Sequence, residues 1–183
     1  MKYLSQQNGD QFTGKRVIVR VDFNVPIENG AVSESEAFRI HAVIPTITFL
    51  KNTGAKIILL SHIGRSGDTL QPVADYIAKF LPELGVKFIP EIVGDTVTNT
   101  ILDLQNSEII LLENIRQNPS EENNDFEFSK TLASYADYYV NDAFAVSHRT
   151  HASVVGIPLF IPGYAGLLIE SEIKHLNEAL QPK

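Results

Sequence analysis

The sequence contains no cysteine. That excludes a disulfide framework and a thiolate metal site, and it implies no particular redox compartment. No apolar run approaches the roughly 18 residues that cross a bilayer. The opening MKYLSQQNGDQF has no apolar stretch of the kind that starts a secretory signal. A soluble, cytoplasmic protein without membrane contact is expected. Neither G-x-G-x-x-G nor G-x-x-x-x-G-K-[ST] occurs, so a glycine-rich cradle for nucleotide phosphates is missing from this chain. Positive charge is scarce: 15 Lys and Arg stand against 22 Asp and Glu, for a net charge of -7 and a pI near 5.2. Nucleic acid is thereby a poor partner, since its binding draws on a basic surface.

What positive charge there is falls in a pattern. Five of the six arginines sit where a strand or helix pattern gives way to a loop, each beside another polar residue. They are Arg20 and Arg39 in RVDFNVP and EAFRIH, Arg65 in SHIGR, Arg116 in LLENIR and Arg149 in SHRTH. The nine lysines are scattered. Arginine presents a planar fork of donors matched to carboxylate and phosphate oxygens and keeps its charge when partly buried. The pattern points to a small anion with several oxygens, held locally.

Length and a hydrophobic content of 44% fit one large domain, or one domain with a short appendage. Short β-branched runs at Arg16 to Val21, Lys56 to Leu60, Val86 to Ile89, Glu108 to Leu112 and Tyr138 to Asn141 read as strands. Several are apolar throughout, as strands covered on both faces are. Helical spacing appears in Glu36 to Asn52 with a break at Pro45, and in Pro72 to Leu81, Val93 to Leu104 and Phe126 to Ala136. Pro119 to Asp125 reads as a solvated acidic loop, and Ile157 to Gly166, rich in Pro and Gly, as a boundary. A last helix over Leu167 to Leu180 carries an apolar stripe of Leu168, Ile169, Ile173, Leu176 and Leu180 with no evident partner. Alternating strands and helices predict an α/β fold, a three-layer sandwich around a parallel sheet.

Ligands of such sheets bind beyond the carboxyl ends of the strands. There lie Asp22 and Asn24, then Ser61, His62, Gly64 and Arg65, then Glu113, Asn114 and Arg116, then Asn141, Asp142, His148, Arg149 and His151, with Arg39 opening a helix nearby. Taken singly, most have plainer readings. Asp22 and Asn24 fit turn chemistry, His62 a structural histidine, and Asp142 a cap for a helix starting at Ala143. Glu113 and Asn114 could hold their loop. Arg20 could form a structural ion pair with Asp22 or Asp142. Arg16 and His175 read as surface groups. His148 and His151 are three apart, but no carboxylate completes a metal triad, so no metal is expected.

The stretches GKRVIVRVDFNVP, RIHAVIPTI, LLSHIGR, LLENIR and YVNDAFAVSHRTHASVVGI, in this order, resemble the N-terminal domain of phosphoglycerate kinase. The resemblance covers essentially the whole chain. It implies a six-stranded, Rossmann-like parallel sheet that binds 3-phosphoglycerate, one half of a two-domain kinase. Asp22 and Asn24, with the intervening Phe23, resemble the segment that orients the substrate hydroxyl and carboxylate end. Arg39 resembles the catalytic arginine directed at the transferring phosphoryl group. His62, Arg65, Arg116 and Arg149, with Ile63 and Gly64 between the first two, resemble the patch that holds phosphate and carboxylate. Arg20, Asp142, His148 and His151 would support them.

The resemblance also implies that Mg-ATP or ADP is bound by a C-terminal nucleotide domain absent from this chain, and that the protein is a monomer. Residues 1–165 would form the phosphoglycerate-binding domain, and 166–183 the interdomain helix and the start of a linker, with Lys183 about where that linker begins. The chain departs from the family at Ser66-Gly67-Asp68, where Pro-Lys-Gly is usual, at Gln117 for phenylalanine, and at Ala145-Val146 for Gly-Thr. Two rival readings are a stand-alone phosphometabolite-binding module and a phosphatase using Asp22 as nucleophile.

Overall fold

A computed structural model describes residues 2–180. Among the described residues eight strands are formed: β1 (Arg16–Arg20), β2 (Ile27–Glu28), β3 (Ala31–Val32), β4 (Lys56–Leu60), β5 (Val86–Ile89), β6 (Ile109–Leu112), β7 (Tyr138–Asn141) and β8 (Gly163–Ala165). The α-helices are α1 (Phe38–Ala42), α2 (Ile44–Asn52), α3 (Gln71–Phe80), α4 (Asp95–Asp103), α5 (Pro119–Glu122), α6 (Phe126–Ser134) and α7 (Leu167–Ala179). Six strands make one sheet in the order β5-β6-β4-β1-β7-β8, parallel at every pairing. β2 and β3 form a separate small hairpin.

Why the apolar runs were uninterrupted is visible in the packing. Successive residues of a strand face opposite sides. Val17, Val19, Ile57, Leu59 and Leu111 join one core with Ile47 and Leu50 of α2 and Val73 and Ile77 of α3. Ile18, Ile58, Leu60, Ile110 and Leu112 join the other, with Val97 and Ile101 of α4 and Phe128 and Leu132 of α6. Both faces are covered, which is the expected three-layer arrangement.

The five strands read from short β-branched runs form within one residue of their expected bounds. The predicted break near Pro45 falls at Val43, between α1 and α2, with Pro45 in the first turn of α2, where its missing N–H costs nothing. The sixth sheet strand, β8, lies inside the stretch read as a boundary and is only three residues long. The acidic connector needs correction. Asn118 caps α5 by accepting from the Ser120 amide at 3.0 Å, and Glu121 within that helix is fully buried.

β1 and β7 are neighbours, and from them the chain leaves in opposite directions across the sheet, toward β4 and toward β8. A crevice at their carboxyl ends follows from that divergence. The last helix starts beside it. Asp142 does not cap a helix at Ala143; its Oδ1 accepts from the Leu168 and Ile169 amides at 3.0 and 3.2 Å and so caps α7. A Cβ on Gly166 would lie 2.3 Å from that Oδ1, so the glycine permits the approach. The apolar stripe of α7 is only partly covered: Ile169 is buried, Leu168 packs on the core, and Leu176 and Leu180 are exposed.

Candidate anion-binding site

The loop after β4 is built around Asn114. Its Oδ1 accepts from the Ile63 and Arg116 amides, each at 3.2 Å, and its Nδ2 donates to the carbonyls of Ile63, Arg65 and Asp68 at 2.9, 3.0 and 2.8 Å. Glu113 accepts from the Leu70 and Asn114 amides and from the Thr69 hydroxyl. The plain reading of this pair as loop holders is correct. Gly64 has φ +45, and a Cβ there would sit 2.1 Å from Asp68 Oδ2, which itself accepts from the Arg65 amide at 2.7 Å. Two departures from the family pattern meet here, because Gln117 Nε2 donates to the Asp68 carbonyl at 3.0 Å.

Asn24 Oδ1 accepts from the Gly64 amide at 2.9 Å, tying the loop after β1 to the loop after β4. Arg116 donates through Nη1 to the Gly64 carbonyl at 2.7 Å and places Nε 3.4 Å from Glu122. The loops after β1, β4 and β6 are thus one hydrogen-bonded unit. Phe23 and Ile63 are buried, with their amides donating to Ser61 Oγ and Asn114 Oδ1. Their side chains belong to the core and leave the surface to their neighbours.

Asp22 pairs with Arg39, Nη1 donating to Oδ2, and this guanidinium lies 5.7 Å over the Phe38 ring. A cavity of about 230 Å³ lies beside the pair, lined also by Phe144, Leu168 and Glu172. A larger cleft of about 680 Å³ runs between the β2–β3 hairpin and the Gly64 to Thr69 loop and includes Asn24 and Ile63. Neither cavity includes Arg116 or Arg149, so the candidates share an edge without lining one enclosed space.

Arg20 corrects an expectation. It forms no hydrogen bond with Asp22 or Asp142. It is 1% exposed and donates through Nε to Ser153 Oγ at 2.9 Å, through Nη1 to the Val21 carbonyl, and through Nη2 to His62 Nδ1 at 3.1 Å. Burial lowers its pKa, and Glu121 is the foremost of the groups working against that. The His62 imidazole is held down to about 2, first by burial and then by Arg20, Arg116, Arg149 and His151. Three of the five arginines that sequence spacing picked out, Arg20, Arg116 and Arg149, thus act on one histidine. Arg149 also acts on Arg116, whose pKa is lowered by burial and then by this second guanidinium.

Among the described residues, no carboxylate is within ion-pair distance of the Arg65 or Arg149 guanidinium. Arg65 is exposed, Arg149 half-buried and His148 exposed. His151 Nδ1 is 3.7 Å from Glu121 Oε1. Sequence reasoning missed Glu121 and Ser153. Asn118-Pro119 ahead of two glutamates is a helix-start signature that could have revealed α5, but no sequence signal shows that Glu121 faces inward.

Guanidinium groups at neighbouring strand ends, an imidazole N–H and an acidic residue paired with one of the arginines form a surface suited to a polyoxygen anion. No helix of the described residues is long and apolar enough to cross a membrane. A family model described as phosphoglycerate kinase matches residues 7–183. Phosphoglycerate kinase of Fervidobacterium nodosum is 46% identical over 172 residues, covering 91% of this chain and 42% of that protein. That of Dictyoglomus turgidum is 46% identical over 177 residues, covering 94% and 44%. The crystal structure of phosphoglycerate kinase from Pyrococcus horikoshii superposes on 100% of this chain and 46% of its own, with TM-score 0.88 and 33% identity. The chain thus spans less than half the length of the curated relatives it matches. By its sequence match and by its sheet alike, this chain belongs to the phosphoglycerate kinase family.

Proposed function

We propose that this chain binds 3-phosphoglycerate at the carboxyl edge of its sheet and forms the acceptor side of reversible phosphoryl transfer between ATP and 3-phosphoglycerate, yielding ADP and 1,3-bisphosphoglycerate. The observation that carries this is a basic edge in a protein of net charge -7: Arg20 Nη2 lies 3.1 Å from His62 Nδ1, Arg116 donates to the Gly64 carbonyl at 2.7 Å, and Arg116, Arg149 and His151 add their charge at His62. Arg65, Arg116 and Arg149 hold phosphate and carboxylate oxygens; His62 adds an N–H donor. Asn24 and Asp22 orient the glycerate hydroxyl and carboxylate end. Arg39, held by Asp22, meets the charge that develops on the transferring group, which is the main task of a protein in phosphoryl transfer.

Mg-ATP or ADP is bound by the part of such kinases that lies beyond this chain and supplies the transferred phosphoryl group. This chain alone binds the acceptor and does not turn over. Residues 1–165 act as the acceptor domain and 166–183 as the interdomain helix and linker start; 181–183 lie outside the described residues. A stand-alone phosphometabolite-binding module would bind the same ligand but would gain no kinase activity from a nucleotide domain.

Calorimetric titration with 3-phosphoglycerate at low and high salt tests the binding. Heat is expected at low salt, with affinity falling as salt screens the charges. Arg65→Ala and Arg149→Ala each remove a charged hydrogen bond of about 1.5–3 kcal/mol, roughly 10- to 150-fold in affinity. Lys87→Ala, on an exposed position of β5, leaves affinity unchanged. Absence of heat at millimolar ligand, or equal losses in all three variants, would overturn the reading.

A further inference from the structure

Glu121 is fully buried, and substrate binding as proposed makes no use of it. Its carboxylate accepts from the Ser153 amide at 2.8 Å and from the Ser153 hydroxyl at 2.5 Å. Ser153 Oγ accepts from Arg20 Nε at 2.9 Å, and Arg20 Nη2 faces His62 Nδ1 at 3.1 Å. Ser153 is fully buried, and Arg20 and His62 are almost so. The four side chains form a continuous line from α5, through the turn after β7 and the end of β1, to the loop after β4.

The line has a single polarity. Arginine only donates and an ionised carboxylate only accepts. Ser153 Oγ takes the hydrogen of Arg20, so its own hydrogen goes to Glu121. His62 Nδ1 meets an arginine N–H and must offer its lone pair. A neutral imidazole whose Nδ1 accepts carries its proton on Nε2.

We propose that Glu121 and Ser153 are positioning residues which, acting through Arg20, hold His62 as a neutral Nε2–H donor, so that this histidine recognises an anion by a directed hydrogen bond and not by charge. Glu121 is the leading group that keeps buried Arg20 cationic, with Tyr139 and Asp22 behind it. Arg20 meets His62 at 3.1 Å, and its charge together with those of Arg116, Arg149 and His151 opposes a further positive charge there, while Glu121 and Glu122 act on His151. The consequence is a donor that stays the same between pH 8 and 5. A titrating histidine in that place would vary with pH and repel its arginine neighbours when charged. The purpose of the line rests on the proposed substrate site; the state of His62 does not.

Long-range proton–nitrogen spectra of the whole chain, labelled in its five histidines and recorded without ligand from pH 8 to 5, test it. His62→Gln assigns the signals. His62 is expected as the Nε2–H tautomer, constant over this range. Ser153→Ala should turn it into a tautomer mixture or a titrating ring and weaken 3-phosphoglycerate binding about fivefold, the scale of one hydrogen bond. Ser153→Thr, which keeps the hydroxyl, should restore both. A wild-type His62 that protonates near 6.5, or carries its proton on Nδ1, would overturn the proposal, and this measurement stands even where a variant fails to fold. An unchanged spectrum in Ser153→Ala would overturn the part played by Glu121 and Ser153. A fixed tautomer in a chain that takes up no 3-phosphoglycerate supports the line while refuting the substrate reading.

Discussion

The Asp142 carboxyl shows how one buried group couples the sheet to its last helix. Burial pushes its pKa up to about 6, against hydrogen bonds from Thr46, Ile169 and Leu168 that favour the charge. Its folded value lies above the ordinary carboxylate value of about 3.9. The folded protein therefore holds this proton more tightly than the unfolded chain does. Stability from this group is greatest in acid, falls as pH rises from about 4 to about 6, and stays lowered above that. The difference amounts to about 3 kcal/mol. Asp142→Asn keeps an oxygen acceptor for the α7 amides and removes the buried charge. Its stability relative to wild type should therefore be distinctly better at pH 7.5 than at pH 4.5 in urea unfolding. An identical difference at the two pH values would show that Asp142 does not titrate in this range. Sequence placed Asp142 correctly at the end of β7 but assigned it to the wrong helix, because its partners Leu168 and Ile169 lie more than 25 positions away. Arg20 was misread for the same reason: its hydrogen-bond partner Ser153 lies 133 positions on.

Elements were legible where local pattern and final environment agree. Strands covered on both faces advertise themselves as apolar runs, as β4 and β6 do, while the edge strand β5, with Lys87 exposed, was readable from its β-branched and aromatic residues alone. The pieces lost were short: α5 with four residues, β8 with three, and the hairpin strands with two each. Such lengths carry too few side chains for a period to appear, and tertiary contacts fix them. Within the loops, Asn114 is the residue that removes most when deleted. Fully buried, it serves backbone groups of Ile63, Arg65, Asp68 and Arg116 at once. Asn114→Ala should cost about 2–4 kcal/mol, since several buried backbone groups lose their partner. It should also weaken 3-phosphoglycerate binding without touching ligand, by releasing the loop that carries Arg65. Denaturant unfolding and calorimetry on the same sample check both. α7 offers a contrast along one helix. Ile169→Ala, at 4% exposure, should cost about 2–4 kcal/mol, and Leu180→Ala, at 80%, less than about 0.5. Equal costs would mean the outer half of α7 is covered in solution.

For the whole molecule, the distribution of charge matters more than its sum. A net charge of -7 keeps anions away in general, yet three loops, the end of β1 and one helix start carry basic groups at the carboxyl ends of the strands. That edge was legible because arginine placement survives without knowledge of the fold, while the buried support behind it was not. The chain spans less than half of its curated relatives, and in the proposed reaction donor and acceptor sit on separate domains whose closure aligns the phosphates and excludes water. Mg-ATP should accordingly leave the melting temperature of this chain unchanged, and the chain alone should consume no ATP with 3-phosphoglycerate. Adding a separately produced nucleotide domain of a relative should restore turnover that rises with the concentration of the added domain. Leu176 and Leu180, exposed on α7, offer it an apolar face. Arg39→Ala should abolish the restored activity while 3-phosphoglycerate still binds, because it removes charge aimed at the transferring group more than at the acceptor. Coupled measurement of ATP consumption across a titration of the added domain reads all of this. Turnover by the unmixed chain would contradict the division of labour between domains, and undiminished turnover in the complemented Arg39→Ala sample would remove that arginine from the chemistry.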